Sequence, residues 1–168
     1  MKQDILVVVE NLRGEIMEIS YTMLAAGREL ANGLGGKLTA LLLGHCAEKL
    51  AGSLGAADTV IYVDHAALAE FTPDAYRRTI SAVVKEQTPR LMLIGHTSVG
   101  MDVACGVSQD LGTPLVTSCQ VIKVNDGQPW YTSLICGGKI IAEGQIPGPT
   151  CVVTMMPGGY KPEPGRVA

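Results

Sequence analysis

The chain has 168 residues, a formal charge of −3, and 47% hydrophobic against 17% charged residues, the balance of one well-folded domain of ordinary size and not of a disordered segment. No run of Lys or Arg could track a phosphate backbone and aromatics make up only 4% of the chain, which excludes nucleic acid as a partner. No apolar run approaches the ~20 residues of a bilayer span, which excludes membrane insertion by a helix.

Met1-Lys2-Gln3-Asp4 lacks the charged start and long apolar segment of a signal peptide, so the expected location is cytoplasmic. Ile5–Val9 is a continuous aliphatic run, as in a parallel strand covered on both faces. A polar loop, Glu10–Glu15, follows without the glycine turn of a dinucleotide fold. Ser20 is the expected cap of a helix whose apolar positions Met23, Leu24, Leu30, Ala31 and Leu34 follow helical spacing up to Gly35-Gly36. Lys37–Leu43 and Thr59–Val63 read as strands, with a short helix at Cys46–Leu54 between them. Thr72-Pro73-Asp74 opens a second long helix with a capping hydroxyl, running to Gln87, and its Arg77-Arg78 pair reads as solvated.

Arg90–Ile94 is the fourth strand, and Gly95-His96-Thr97-Ser98-Val99-Gly100 is a tight loop into a helix over about 101–111. From Pro114 the pattern changes to an antiparallel meander of Leu115–Val124, Trp130–Cys136 and Lys139–Glu143, punctuated by Asn125-Asp126-Gly127 and Gly137-Gly138. Thr150–Met155 is a last strand, and residues 157–168 have the Pro/Gly composition of a tail or linker. The expected architecture is a single α/β domain over residues 1–156. It has a mainly parallel sheet, helices on both faces and a carboxyl-terminal antiparallel extension.

The loop after the fourth strand is the strongest local candidate for a site, because ligands in open α/β sheets bind beyond the carboxyl ends of strands. Thr97, Ser98, Val99 and Gly100 form a candidate anion or nucleotide loop, with Glu10 and Asn11 on the neighbouring rim. The same residues also satisfy a purely local reading, in which Thr97 or Ser98 caps the helix and Asp102 complements its dipole. No P-loop is completed, since Leu38 and Ile140 follow Gly36-Lys37 and Gly138-Lys139 where Ser or Thr should stand. His45, His65 and His96 all follow strands and gather at one rim, but their spacing carries no metal signature. The five cysteines (Cys46, Cys105, Cys119, Cys136 and Cys151) are widely spaced in apolar surroundings and read as buried reduced thiols. A redox or hydrolytic enzyme built on Cys105 or the histidines ranks last among the functional readings.

Taken together, Leu91–Ala104, Leu111-Gly112-Thr113-Pro114-Leu115-Val116-Thr117, the Gly137-Gly138-Lys139 hairpin and Pro157-Gly158-Gly159-Tyr160-Lys161-Pro162 resemble the alpha subunit of electron transfer flavoprotein. The opening strand, Glu29-Leu30-Ala31 and Gly36–Gly44 fit the same pattern, so the resemblance covers nearly the whole chain. It implies the family's amino-terminal domain, of adenine-nucleotide-hydrolase-like, Rossmann-like type, and a role as a scaffold for electron transfer within a heterodimer. The partners implied are a beta-subunit-like chain, or a homo-oligomer, and a flavin-binding domain. FAD is expected in the assembled complex and not in this domain alone. The alternative is a stand-alone adenine-nucleotide-binding or sensing module, with AMP as its ligand. Gly106 and Ser133 stand where typical members carry arginines, removing positive charge from positions associated with domain or flavin contacts.

Overall fold

The computed structural model describes residues 2–166, so Met1 and residues 167–168 of the expected tail lie outside the described residues. Ten strands and three long helices follow one another: β1 (Ile5–Val9), β2 (Asn11–Leu12), β3 (Glu15–Ile16), α1 (Glu18–Leu34), β4 (Leu38–Gly44), β5 (Thr59–Asp64), α2 (Pro73–Gln87), β6 (Leu91–Gly95), α3 (Ser98–Leu111), β7 (Leu115–Asn125), β8 (Gln128–Ile135), β9 (Ile140–Gln145) and β10 (Cys151–Met155). Eight strands form one sheet in the order β5-β4-β1-β6-β10-β7-β8-β9. The first six in that order are mutually parallel, and β8 and β9 continue antiparallel.

Alternation along each central strand divides the core into two layers. Ile5, Val7 and Val9 face α1 together with Leu38, Leu42 and Leu93, whereas Leu6, Val8, Leu41, Met92 and Ile94 face α2 and α3. All five residues of β1, β6 and β10 are buried, which is why these segments read as unbroken apolar runs instead of alternating ones. Full burial of each such aliphatic side chain contributes roughly 1.5–3 kcal/mol before conformational entropy is set against it. The expected α/β architecture, with helices on both faces and an antiparallel carboxyl-terminal extension, is the one observed.

Several local expectations are corrected. Glu10–Glu15 is not an open loop, because β2 and β3 pair as a small hairpin around Arg13-Gly14, both at positive φ, as a two-residue primed turn requires. Ser20 does not cap α1. The cap position is Met17, and Ser20 is buried in the first turn, where it bonds backbone instead. Cys46–Leu54 contains a 3-10 segment at Glu48–Ser53 and no α-helix. Thr72 precedes α2 without a side-chain cap bond, leaving Pro73 and Asp74 to start it.

Helix α3 begins at Ser98, earlier than expected, and Asp102 lies beyond its first turn. β7 belongs only partly to the meander, since Leu115 and Val116 pair parallel to β10 before an irregularity near Ser118, at φ +52°, hands the strand over to β8. Arg77 is not simply solvated: its guanidinium grips Asp110 of α3 at 2.9 and 3.1 Å. It lies over Gly106, where a Cβ would meet the Arg77 side chain. Ser133 is buried opposite Cys119. Only Cys119 and Cys151 are buried thiols, because Cys46, Cys105 and Cys136 fall on a loop, an outer helix face and a turn, all exposed.

The segment after β10 lies along the α1 side of the sheet. Tyr160 donates to the Ile122 carbonyl at 2.7 Å and accepts from its N–H at 3.1 Å, Gly165 is buried against the Tyr21 backbone, and Arg166 stacks 4.4 Å above the Tyr21 ring.

Candidate functional site at the strand ends

β1 and β6 are parallel neighbours in register, so Glu10 and Gly95–Thr97, just beyond their carboxyl ends, meet at one rim. Sheet order also reverses here, with β4 on one side of β1 and β6 on the other, the switch point at which open α/β sheets present ligand crevices.

Glu10 is fixed along its whole length. Its backbone N–H donates to Ser20 Oγ at 2.9 Å, Ser20 Oγ donates back to its carbonyl at 3.1 Å, and the Met17 N–H donates to the same carbonyl at 2.9 Å. At the other end, the Gly100 N–H donates to Thr97 Oγ1 at 3.0 Å, and Thr97 Oγ1 donates onward to the Glu10 carboxylate, 2.8 and 3.0 Å from its two oxygens. Thr97, not Ser98, is thus the cap of α3. A Cβ at Gly100 would strike the Gly95 carbonyl, and one at Gly95 would strike Glu10 Oε1. Both glycines make room for the carboxyl group at the start of the helix. Burial pushes the Glu10 carboxyl above its usual range, and the Thr97 bond offsets part of that rise.

The other expected site residues are placed as follows. Asn11 Nδ2 donates to the Leu43 carbonyl at 2.9 Å, which ties the β2–β3 hairpin to the end of β4. Ser98 is exposed. Val99 lines, with Glu10, Phe71 and Tyr76, a mostly apolar cavity of about 130 Å³. The structure therefore brings Glu10, Thr97 and Gly100 into one bonded cluster and leaves Asn11 and Ser98 outside it. The Glu10 carboxyl group stands at the start of α3, beside Gly95 and Gly100.

The three histidines do not converge. His45 and His65 follow β4 and β5, whereas His96 follows β6 on the far side of β1. His96 Nδ1 lies 2.9 Å from Thr154 Oγ1, which accepts from the Ser118 N–H at 3.1 Å, and His65 Nδ1 accepts from the Ala67 N–H. Among the described residues no group of three or more His, Cys, Asp or Glu could hold a metal ion. Ser20 and Thr154 are contributors that sequence reasoning missed. Ser20 carried a signal read as a cap, and Thr154 carried none, because its strand joins β6 only through the sheet.

A mostly parallel sheet with helices on both faces and an antiparallel carboxyl-terminal extension defines an α/β domain of Rossmann-like type. Residues 5–168 match the family model of the electron transfer flavoprotein domain, and the chain belongs to that family. It is 36% identical over 125 residues to acryloyl-CoA reductase electron transfer subunit beta of Anaerotignum propionicum, covering 73% of this chain and 34% of the relative. It is likewise 36% identical over 140 residues to electron transfer flavoprotein subunit alpha of Clostridium acetobutylicum, covering 81% of this chain and 42% of the relative. With the alpha subunit of Bacillus subtilis the identity is 25% over 159 residues, covering 94% and 48% respectively. The chain thus spans less than half the length of these relatives. No helix among the described residues is long and apolar enough to cross a membrane.

Proposed function

We propose that this chain is an alpha-subunit-like component of an electron transfer flavoprotein assembly, a scaffold to which a beta-subunit-like chain and a flavin-binding domain attach. The observation that carries this reading is the bonded rim. Glu10, Thr97 and Gly100 satisfy one another at the start of α3, so the rim stiffens the domain, and in this reading the flavin is held elsewhere in the assembly. The relatives, one named as an electron transfer flavoprotein subunit alpha and one as an electron transfer subunit of acryloyl-CoA reductase, support the same role.

The test is to purify the chain alone and together with a beta-subunit-like chain and a flavin-binding domain, following absorbance at flavin wavelengths through size exclusion. The expected result is a colourless chain alone and a yellow heteromer when the partners are present. A chain that stays alone and colourless with every such partner removes the assignment. A thermal-shift panel with AMP, ADP, ATP, FMN and FAD tests the sensing-module alternative, since a ligand at ~100 times its dissociation constant adds ~2.7 kcal/mol of apparent stability. The scaffold reading expects no shift from any of them.

A further inference from the structure

A second cluster lies outside the rim, at the ends of β4 and β5. His45 Nδ1 is 2.9 Å from Asp64 Oδ1, and His45 Nε2 faces Cys46 Sγ at 3.7 Å. The backbone presents the thiol deliberately: Cys46 is in the left-handed region, at φ +54°, which residues with a Cβ disfavour. That conformation is held by the Cys46 N–H donating to Asp64 Oδ1 at 3.2 Å and the Ala47 N–H donating to the Tyr62 hydroxyl at 2.7 Å. Asp64 thus performs two tasks. It accepts from the amide that sets the thiol's position, and it fixes the imidazole tautomer with the proton on Nδ1. The lone pair of Nε2 is thereby left facing sulfur. A carboxylate orienting a histidine that in turn faces a nucleophile is the arrangement that activates a thiol.

All three side chains are exposed, and His45 and Cys46 border an open groove of about 680 Å³ lined also by Arg13, Lys49 and Glu70, so a small reagent has access to the thiol. We propose that Cys46 is an activated thiol and a site of reversible thiolation by small-molecule disulfides. The Cys46 proton passes to His45 Nε2 and the resulting thiolate attacks one sulfur of the incoming disulfide. A new S–S bond to Cys46 forms as the reagent's own S–S bond breaks, and the departing thiolate takes the proton from the imidazolium. Cys46 is oxidised to the mixed disulfide and half of the reagent is reduced to a thiol. Groups whose charge bears on this exchange are Asp64, Arg13, Lys49 and Glu70, with Glu48, His65, Tyr62 and Tyr76 also nearby.

The intact chain carries its own controls in Cys105 and Cys136, both exposed and neither bonded to a histidine among the described residues. Per-residue alkylation by iodoacetamide, read by peptide mass spectrometry from pH 6 to 9, is expected to label Cys46 about tenfold faster than either control at pH 7, because only Cys46 has a histidine facing its sulfur to take the proton. His45→Gln and Asp64→Asn should each bring Cys46 towards the control rate, with Cys105 and Cys136 unchanged as the check on folding. Oxidised glutathione should add once per chain, at Cys46, and dithiothreitol should release it. Equal rates at the three cysteines in the unaltered chain, a Cys46 rate indifferent to both substitutions in folded protein, or glutathione spread evenly over the cysteines would each overturn the proposal.

Discussion

Glu10 shows how one residue's surroundings set its protonation. Its carboxyl is raised by burial more than the Thr97 bond lowers it, so the folded chain binds that proton more tightly than the unfolded one. The stability this contributes is fully present below the unfolded pKa and is lost as pH rises through the higher folded value, at ~1.4 kcal/mol for each unit between them. Glu10→Gln keeps an oxygen to accept from Thr97 and removes the titration. Thermal unfolding of both proteins at pH 4 and pH 8 should show the variant gaining on the parent at the higher pH; an unchanged difference contradicts the account. Like the Glu10–Thr97 bond, the contact of His96 with Thr154 joins residues far apart in the chain, 58 positions in this case. Nothing in the sequence near either residue announces that contact.

Among the elements, α3 separates a cap from a ligand loop. Thr97 accepts from the Gly100 N–H and donates its hydroxyl hydrogen bond to Glu10, whereas Ser98 is the first, exposed helical residue. Thr97→Ala should therefore destabilise the fold by about 1–2 kcal/mol, the usual range for loss of a cap hydroxyl, and Ser98→Ala by no more than ~0.5 kcal/mol. Chemical denaturation of the two variants distinguishes them, and equal losses would contradict the assignment of the cap. The central strands were legible in the sequence because burial on both faces forces continuous aliphatic composition, as in Ile5–Val9 and Leu91–Ile94. The β2–β3 hairpin was not, since its Arg13-Gly14 turn lacks the Asn-Gly or Asp-Gly signature and its strands are two residues each. Ser20 misled for a different reason: a serine near a helix start serves equally well as a cap or as a buried bridge to a neighbouring strand, and local sequence does not say which. Glu10 was placed from sequence on the rim beside Thr97–Gly100, but not its bond to Thr97, because that meeting depends on β1 and β6 lying side by side.

At the scale of the whole molecule, the core sets an alkaline limit. Burial pushes the Cys119 thiol up to about 12, the Cys151 thiol to about 11 and the Tyr160 hydroxyl to about 12, while the unfolded chain releases these protons near the ordinary values of ~8.5 for cysteine and ~10 for tyrosine. In each case the folded state holds the proton more tightly, so the associated stability is complete below the unfolded pKa and declines as pH climbs towards the folded one. The melting temperature should fall progressively between about pH 9 and 11, and a flat profile there would contradict the burial of these groups. The two-sided grip of Ser20 on Glu10 has a consequence for motion. With the exit of β1 and the first turn of α1 bonded in both directions, neither can open while the other stays closed. The Glu10 and Met17 amides should accordingly exchange with solvent deuterium in one cooperative event, although a hairpin separates them along the chain.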